Sequence, residues 1–238
     1  MASKKRMLKD IAIMSNSNLE NDGIFYHVDE DDMFNVKLMI IGPKDTPYED
    51  GLYFFTLEFD KTKHPYVPPK ATFCCASPRG MRMHPNFYCC GKVCLSLLNT
   101  WSGPKWSACQ TLKSIATSIQ VIFDDNPLVH EPGYDNEGSI NAQKEYNKII
   151  SYMNFVSIYN TVKSRNRYNF TKDFSKQIEE HYRKKHKNIS NKITEHLNTY
   201  NSDSDNRVFN FRLYGMKGKM DYTDLLVNLE NLNKQLNI

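Results

Sequence analysis

Four short stretches rich in hydrophobic residues lie between polar turn segments in the first third of the chain. β-Branched and aromatic residues dominate each stretch, and the connections are short. One connection, "PKDTPYEDG", contains two prolines and a glycine, which favours a hairpin loop over a strand. This pattern predicts an antiparallel meander of four strands. The predicted strands cover residues 23–28, 34–42, 51–59 and 70–76.

Hydrophobic residues recur at helical spacing at the start of the chain and in its second half. Met7, Leu8, Ile11 and Met14 predict an amphipathic helix over residues 2–14. Ser107 is a suitable N-cap for a helix from Ala108 to Phe123. Further helices are predicted over 139–162 and 221–236 and, as one or two helices, over 172–200, with a short strand in "VFNFRLYG". The fold class is therefore predicted as α+β.

Composition limits the class of protein. The chain of 238 residues can form one large core, or one core and a smaller addition. No apolar run reaches the roughly 18 residues of a membrane span, and the basic start lacks the features of a signal peptide. Six cysteines are too few for a disulfide scaffold. We therefore expect a cytoplasmic or nuclear protein with no membrane partner.

Positive charge is concentrated between Lys163 and Lys192, where ten Lys or Arg residues accompany three acids. A solvated helix face accounts for this pattern, and a surface for a polyanion or an acidic partner is the alternative. The segment lacks the glycine and aromatic signature of an RNA-binding platform. Nucleic acid is therefore not an expected partner.

The stretch "HPNFYCCGKVCLSL", residues 84–97, contains three of the six cysteines. No cysteine pair in the chain has the two-residue gap of a zinc knuckle, and adjacent cysteines on a strand face opposite ways. A zinc site of Cys75, Cys90, Cys94 and a histidine remains an alternative. A thiol protease would need a histidine aimed at the cysteine, and His84 precedes a proline in a turn. No metal is predicted.

The order of motifs resembles that of the ubiquitin-conjugating enzyme family. The motifs are "TPYEDGLYFFTLEF", "HPYVPP", "HPN", a cysteine eight positions after the Asn, a tryptophan loop and an amphipathic helix. The chain is similar in particular to the long, Z-type branch, through "RMHPNFYCCGKVCLSLLNTWSGPKWSACQTL" and "NPLVHEPGYD". The resemblance implies a ubiquitin-conjugating catalytic core over 1–160 and a mostly helical C-terminal extension over 161–238.

The resemblance implies that Cys94 accepts ubiquitin, or a ubiquitin-like modifier, as a thioester and passes it to a substrate lysine or a ligase. A free thiol has a pKa of about 8.5, and its thiolate is strongly nucleophilic. Asn86 is the expected side-chain donor to the oxyanion that forms when an amine attacks. His84 is expected to support the turn. This role requires the Cys94 thiol to be exposed and free of metal.

Two further residues are candidates for handling the incoming lysine. The family often has an acid before "PLV", where this chain has Asn126. An amide can orient an amine but cannot take its proton. Asp125, one residue upstream, is the candidate substitute for the acid, and His130 in the same loop is either a substrate contact or an ordinary surface residue.

Partner surfaces are also implied by the resemblance, and no cofactor is, because the activating enzyme spends the ATP. The first helix carries a basic patch expected to dock the activating enzyme: Lys4, Lys5, Arg6 and Lys9. The ligase surface is expected at Tyr66, Ser107 and Ala108. Because the family usually has Ser-Pro where this chain has Ser107 and Ala108, the loop is expected to be less stiff. Trp106 is expected to anchor the loop, in competition with Trp101.

Two alternatives belong to other classes of protein. A non-catalytic ubiquitin-binding scaffold of the same fold would usually lack the cysteine, so the presence of both Cys94 and Asn86 argues against it. A zinc-dependent binding module would contain stoichiometric zinc and lose it on Cys94→Ser.

Overall fold

The computed structural model describes residues 2–75, 78, 80–200 and 208–238. Helices and strands alternate with irregular segments along this part of the chain. The helices are α1 (Ala2–Ser15), α2 (Leu112–Val121), α3 (Ile140–Lys163), α4 (Asn169–Lys172), α5 (Ser175–Tyr200) and α6 (Tyr222–Leu236). The strands are β1 (Ile24–Val28), β2 (Asn35–Ile41), β3 (Leu52–Glu58), β4 (Lys70–Cys74), β5 (Val208–Phe211) and β6 (Met216–Lys219). The α+β class is confirmed.

Strands β1 to β4 form one antiparallel sheet in sequence order, so the predicted meander is confirmed. The β2–β3 connection closes through the Gly42 amide, which donates to the Gly51 carbonyl over 2.8 Å. A Cβ at Gly42 would lie 1.8 Å from the Tyr48 carbonyl oxygen, so the turn has room only for glycine there.

Alternate side chains along β3 point to opposite sides of the sheet, and both sides are buried. On one side, Phe55 packs against Phe73, Phe87 and Phe123, with ring centroids 5.0 to 6.5 Å apart. On the other side, the Phe54 ring lies 5.4 Å from the ring of Phe170 in α4. The first of these layers supports the loops described below, and the second joins the sheet to the C-terminal part of the chain.

Helix α2 begins at Leu112, so the predicted start at Ala108 is wrong. Thr111 is the N-cap, and it forms a capping box in which the Thr111 hydroxyl accepts from the Ser114 amide and the Ser114 hydroxyl accepts from the Thr111 amide. Ser107 instead begins a turn, in which its carbonyl accepts from the Gln110 amide over 3.0 Å. The capping box at Thr111 satisfies two backbone amides at the start of the helix, so the helix begins there.

The C-terminal part is helical apart from the β5–β6 hairpin. The predicted strand in "VFNFRLYG" is confirmed as β5, whereas its partner β6 was not predicted, because "MKGK" contains no run of β-forming residues. Helix α3 continues across residues 160 and 161, where the two predicted domains meet. Lys185 of α5 pairs with the buried Asp50 carboxylate over 3.2 Å, so part of the basic segment contacts the β2–β3 loop. Within the described part of the chain, no helix is long and apolar enough to cross a membrane.

Candidate active site

The His84–Pro85–Asn86 turn and Cys94 are brought together by short backbone pairing. The Cys94 amide donates to the Asn86 carbonyl over 2.8 Å, and Phe87 pairs with Val93 in an isolated β-bridge. The eight-residue spacing is therefore closed into a compact loop. This loop packs on the sheet through the Phe87 ring, which stacks on Phe73 with centroids 5.0 Å apart.

His84 holds the turn from its buried side. Its Nδ1 accepts a hydrogen bond from the Asn86 amide over 3.0 Å, so the ring carries its proton on Nε2 and donates it to the Ile122 carbonyl over 2.8 Å. Burial, with a smaller contribution from His130, lowers the pKa of His84 to about 3. The ring is therefore neutral at physiological pH, and it connects the turn to the end of α2.

The Asn86 side chain lies against Cys94. Its Nδ2 donates to the Cys94 carbonyl over 2.7 Å, and the residue is only 7 % exposed. The Asn86 Oδ1 atom is buried without a hydrogen-bond partner among the described residues. One N–H of the amide is therefore used within the chain, and the second is the group that remains for an oxyanion.

Cys94 is 1 % exposed, so the expectation of an exposed thiol is wrong for this conformation. Beside it, the Thr100 hydroxyl donates to the Val93 carbonyl over 2.7 Å and accepts from the Leu95 amide over 2.9 Å, so the chain turns back on itself between residues 95 and 100. No group of three His, Cys, Asp or Glu side chains within the described ranges could hold a metal ion.

The tryptophan loop contacts this segment at a few points. A Cβ at Gly103 would lie 3.1 Å from the Ser96 Cβ, so the loop passes close to the residue two positions after Cys94. Trp106 donates from its indole Nε1 to the Pro65 carbonyl over 2.7 Å, whereas Trp101 is 40 % exposed. Trp106, rather than Trp101, therefore anchors the loop.

The loop after α2 carries the residues considered for lysine handling. Asn126 donates from Nδ2 to the Gln143 Oε1 over 3.0 Å, and Asp125 is exposed. Asp124 pairs with His130, with 2.6 Å between Oδ2 and Nε2, and the His130 ring centroid lies 5.3 Å from that of His84. The Asp124–His130 pair was not predicted, although both residues occur within one short acidic loop.

The residues predicted to bind partners differ in whether their side chains are exposed to solvent or bonded within the chain. On α1, Lys4, Lys5 and Lys9 are exposed. Arg6 is engaged within the chain: it pairs with Asp10 over 2.9 Å and donates to the carbonyls of Ala108 and Gln110.

Two of the three predicted ligase residues, Ser107 and Ala108, lie in the loop that Arg6 contacts. Tyr66 is 78 % exposed, Ser107 is exposed and Ala108 is half-buried. Arg6 therefore connects the predicted docking helix to the loop that contains Ser107 and Ala108.

Comparison with known proteins agrees with this architecture. The family model described as "Ubiquitin-conjugating enzyme" matches residues 6–154. The chain is 40 % identical over 130 residues to the ubiquitin-conjugating enzyme E2 Z of Xenopus tropicalis, which covers 55 % of this chain and 41 % of that protein. The E2 Z of Homo sapiens is 39 % identical over 130 residues, covering 55 % of this chain and 36 % of that protein.

The human ubiquitin-conjugating enzyme E2 G1 structure is 28 % identical, with a TM-score of 0.42, covering 49 % of this chain and 90 % of that one. The antiparallel meander, the flanking helices and the matched 6–154 segment define a ubiquitin-conjugating fold. The chain belongs to the ubiquitin-conjugating enzyme family. Within that family it is related to the E2 Z proteins, and it spans about two fifths of the length of those relatives.

Proposed function

We propose that this protein is a ubiquitin-conjugating transferase that accepts ubiquitin, or a ubiquitin-like modifier, as a thioester on Cys94. The observation that carries the proposal is the pair of hydrogen bonds between Asn86 and Cys94, one through the backbone and one through the Asn86 amide. They hold a side-chain donor beside the only cysteine that lies eight positions after an asparagine in this turn.

The proposed chemistry consists of two acyl transfers. In the first, the Cys94 thiolate attacks the carbonyl of a thioester on the activating enzyme, and the thiolate of that enzyme leaves. In the second, a substrate amine attacks the new thioester, and the negative charge that develops on its oxygen is stabilised by the Asn86 amide. Collapse of the intermediate releases the Cys94 thiolate and forms an amide bond, and the amine gives up a proton. Neither step requires a metal or an organic cofactor.

Lysine positioning is assigned in this proposal to Asn126, with Asp125 as the candidate proton acceptor. Asn126 is held by Gln143 of α3, so its amide is fixed relative to the helix, whereas the Asp125 carboxylate is exposed to solvent. A carboxylate can accept a proton from an ammonium ion, and an amide cannot.

Loading requires Cys94 to become exposed, because two proteins must bring their sulfur atoms together. We propose that the segment that follows Cys94 moves; the Thr100 hydroxyl bonds and the approach of Gly103 to Ser96 are its contacts nearest to Cys94 along the chain. We assign the catalytic core to residues 1–160 and the extension to 161–238. The exposed lysines of α1 are the proposed contact for the activating enzyme, and Tyr66 with the Ser107 loop is the proposed contact for a ligase.

The burial of Cys94 favours one second candidate, a non-catalytic ubiquitin-binding scaffold of the same fold. A loading assay separates the two. The protein is incubated with ATP, a panel of activating enzymes and their modifiers, and then separated with and without reductant. The enzyme gives a modifier-sized mass increase that reductant removes. Binding of the modifier without any such adduct, across the panel, would support the scaffold.

A further inference from the structure

Arg82 lies two residues before the His84–Pro85–Asn86 turn and holds its outer side. Its Nε donates to the His84 carbonyl over 3.2 Å, and its Nη2 donates to the Pro85 carbonyl over 2.5 Å. A guanidinium presents its donors in a rigid planar fork, so both carbonyls are fixed by one side chain. The turn that presents Asn86 is thus held by His84 from the inside and by Arg82 from the outside.

Two tyrosine rings hold the Arg82 guanidinium. Its central carbon lies 3.4 Å from the ring centroid of Tyr88 and 5.1 Å from that of Tyr214. Tyr88 belongs to the loop that connects Asn86 to Cys94, whereas Tyr214 belongs to the C-terminal extension. Contacts of a guanidinium with aromatic faces are favourable and restrict its rotation.

Tyr214 is itself fixed at its other end. Its hydroxyl donates to the Glu131 Oε2 over 2.7 Å, and burial together with this carboxylate raises the pKa of Tyr214. Glu131 directly follows His130, in the loop proposed for lysine handling. Tyr214 therefore touches both loops of the candidate site, although it lies more than 80 residues further along the chain.

Met216 of the extension and Tyr146 of α3 strengthen this contact. Met216 accepts a hydrogen bond at Sδ from the Arg82 amide over 3.2 Å, and the Tyr146 hydroxyl donates to the Arg82 carbonyl over 2.8 Å. The Tyr146 ring packs edge-on to Tyr214, with centroids 5.7 Å apart. Main chain and side chain of Arg82 are thus both fixed from the C-terminal half of the chain.

We propose that Arg82 is a positioning residue for the Asn86 amide in acyl transfer, and that Tyr214 holds Arg82 in place, so that the C-terminal extension completes the active site. The inference rests on the proposed function. It assigns the extension a role in the transfer step, whereas a purely structural extension would affect only folding.

The kinetic test uses Arg82→Ala and Arg82→Lys in single-turnover discharge of the loaded protein to free lysine. We expect Arg82→Ala to slow the maximal discharge rate about 10-fold without changing the half-saturating lysine concentration, and loading to change less than 2-fold. Arg82→Lys should not restore the rate, because an ammonium lacks the planar fork. Lys92→Ala is the matched control, since Lys92 also lies over the Tyr88 ring, at 5.4 Å.

A double variant tests whether Arg82 acts through Asn86. In an Asn86→Ala background, Arg82→Ala should slow discharge by less than 2-fold, because the group that it positions is already absent. A full 10-fold loss in that background would overturn the proposal, as would discharge at the wild-type rate in Arg82→Ala alone.

The role of the extension is tested by Tyr214→Leu and Tyr214→Phe. The leucine variant removes the ring and should slow discharge nearly as much as Arg82→Ala, whereas the phenylalanine variant keeps the ring and should lose about 2-fold. Leu213→Ala is the control on the same turn, because Leu213 is 39 % exposed. Wild-type discharge in Tyr214→Leu would contradict a role for the extension.

A spectroscopic readout separates this inference from the proposed function. The Asn86 side-chain amide signal, assigned by its loss in Asn86→Asp, should shift and exchange faster with solvent in both Arg82→Ala and Tyr214→Leu. This measurement needs no loading. If the wild type never loads, the proposed function fails, and an unchanged Asn86 signal in folded Tyr214→Leu would overturn the positioning role independently.

Discussion

The two segments that flank Cys94 are built differently. The segment before it, from Met83 to Val93, contains buried aromatic packing around Phe87 and a turn fixed by the rings and carbonyls of neighbouring elements. The segment after it, from Asn99 to Gln110, has five consecutive exposed residues at 101–105. It is held by side-chain hydrogen bonds of Thr100, Trp106 and Arg6. In the proposed function, the first segment positions the reacting groups, and the second is the segment that we expect to open.

The strength of these contacts supports that division. A hydrogen bond in a folded protein contributes about 1 kcal/mol net, so releasing Thr100 alone costs little, whereas releasing Trp106 and Arg6 as well costs more. Disrupting the first would expose aromatic side chains, each of which contributes several kcal/mol when buried. Motion that exposes Cys94 should therefore leave the Asn86 turn intact.

The largest effect is expected on the rate of discharge, from removing the Asn86 side chain in the segment before Cys94. Asn86→Ala removes the donor to the developing oxyanion and should slow discharge to lysine about 100-fold, which is typical for one such donor. Loading should change much less, because its nucleophile is a thiolate, which attacks the thioester carbonyl more readily than an amine does. Rates of both steps are measured with preloaded and unloaded protein. Asn136→Ala, an exposed amide in the later loop, is the control. Equal discharge rates for Asn86→Ala and wild type would remove Asn86 from the mechanism.

The next largest effect is expected in the pH dependence of the free energy of unfolding, to which His84 contributes. Because burial lowers the pKa of His84 to about 3 from 6.5, the unfolded state binds more protons than the folded state between these values. The contribution of His84 to stability is complete above about pH 6.5 and is lost as the pH falls, by up to about 1.4 kcal/mol per unit.

His84→Gln should reduce this slope, since glutamine retains a donor and an acceptor but does not titrate. Urea unfolding at three pH values between 4.5 and 7.5 gives the slope in each variant. His181 and His196, whose pKa values are also lowered by burial, are present in both variants and cancel in the comparison. An identical slope would show that His84 is not buried in its neutral form.

The smallest effect should come from loosening the exposed segment. Thr100→Val removes the hydroxyl that bonds the Val93 and Leu95 backbone, and it should raise the alkylation rate of Cys94 about 5-fold, from the loss of roughly 1 kcal/mol. Peptide-resolved maleimide labelling gives this rate, with the exposed Cys109 as an internal reference. Thr100→Ser keeps the hydroxyl and should label as the wild type does. If Thr100→Val left the alkylation rate of Cys94 unchanged, the Thr100 hydroxyl bonds would not be what limits access to Cys94.

The sequence could predict features that depend on local patterns, but not features that depend on contacts between distant residues. The strands of the meander were predictable because period-two patterning and turn residues act over a few positions, as at Gly42 and Gly51. The start of α2 was misplaced because Ser107 and Thr111 are both good caps, and only the reciprocal bond with Ser114 distinguishes them.

The site was predictable only in part. The closeness of Asn86 and Cys94 follows from their local spacing. The Arg82–Tyr214 contact depends on tertiary packing between distant parts of the chain, and no local pattern marks Cys94 as buried.

The most direct test of the central claim follows the modifier to a particular sulfur. Wild type, Cys94→Ser, Cys89→Ser and Cys90→Ser are incubated with the activating enzyme, ATP and modifier, and the adducts are weighed intact and mapped by peptide mass. We predict a reductant-sensitive adduct on Cys94 in the wild type and in both neighbouring variants. Cys94→Ser should give either no adduct or a reductant-resistant ester at the same position. A reductant-sensitive adduct that persists in Cys94→Ser would contradict the account.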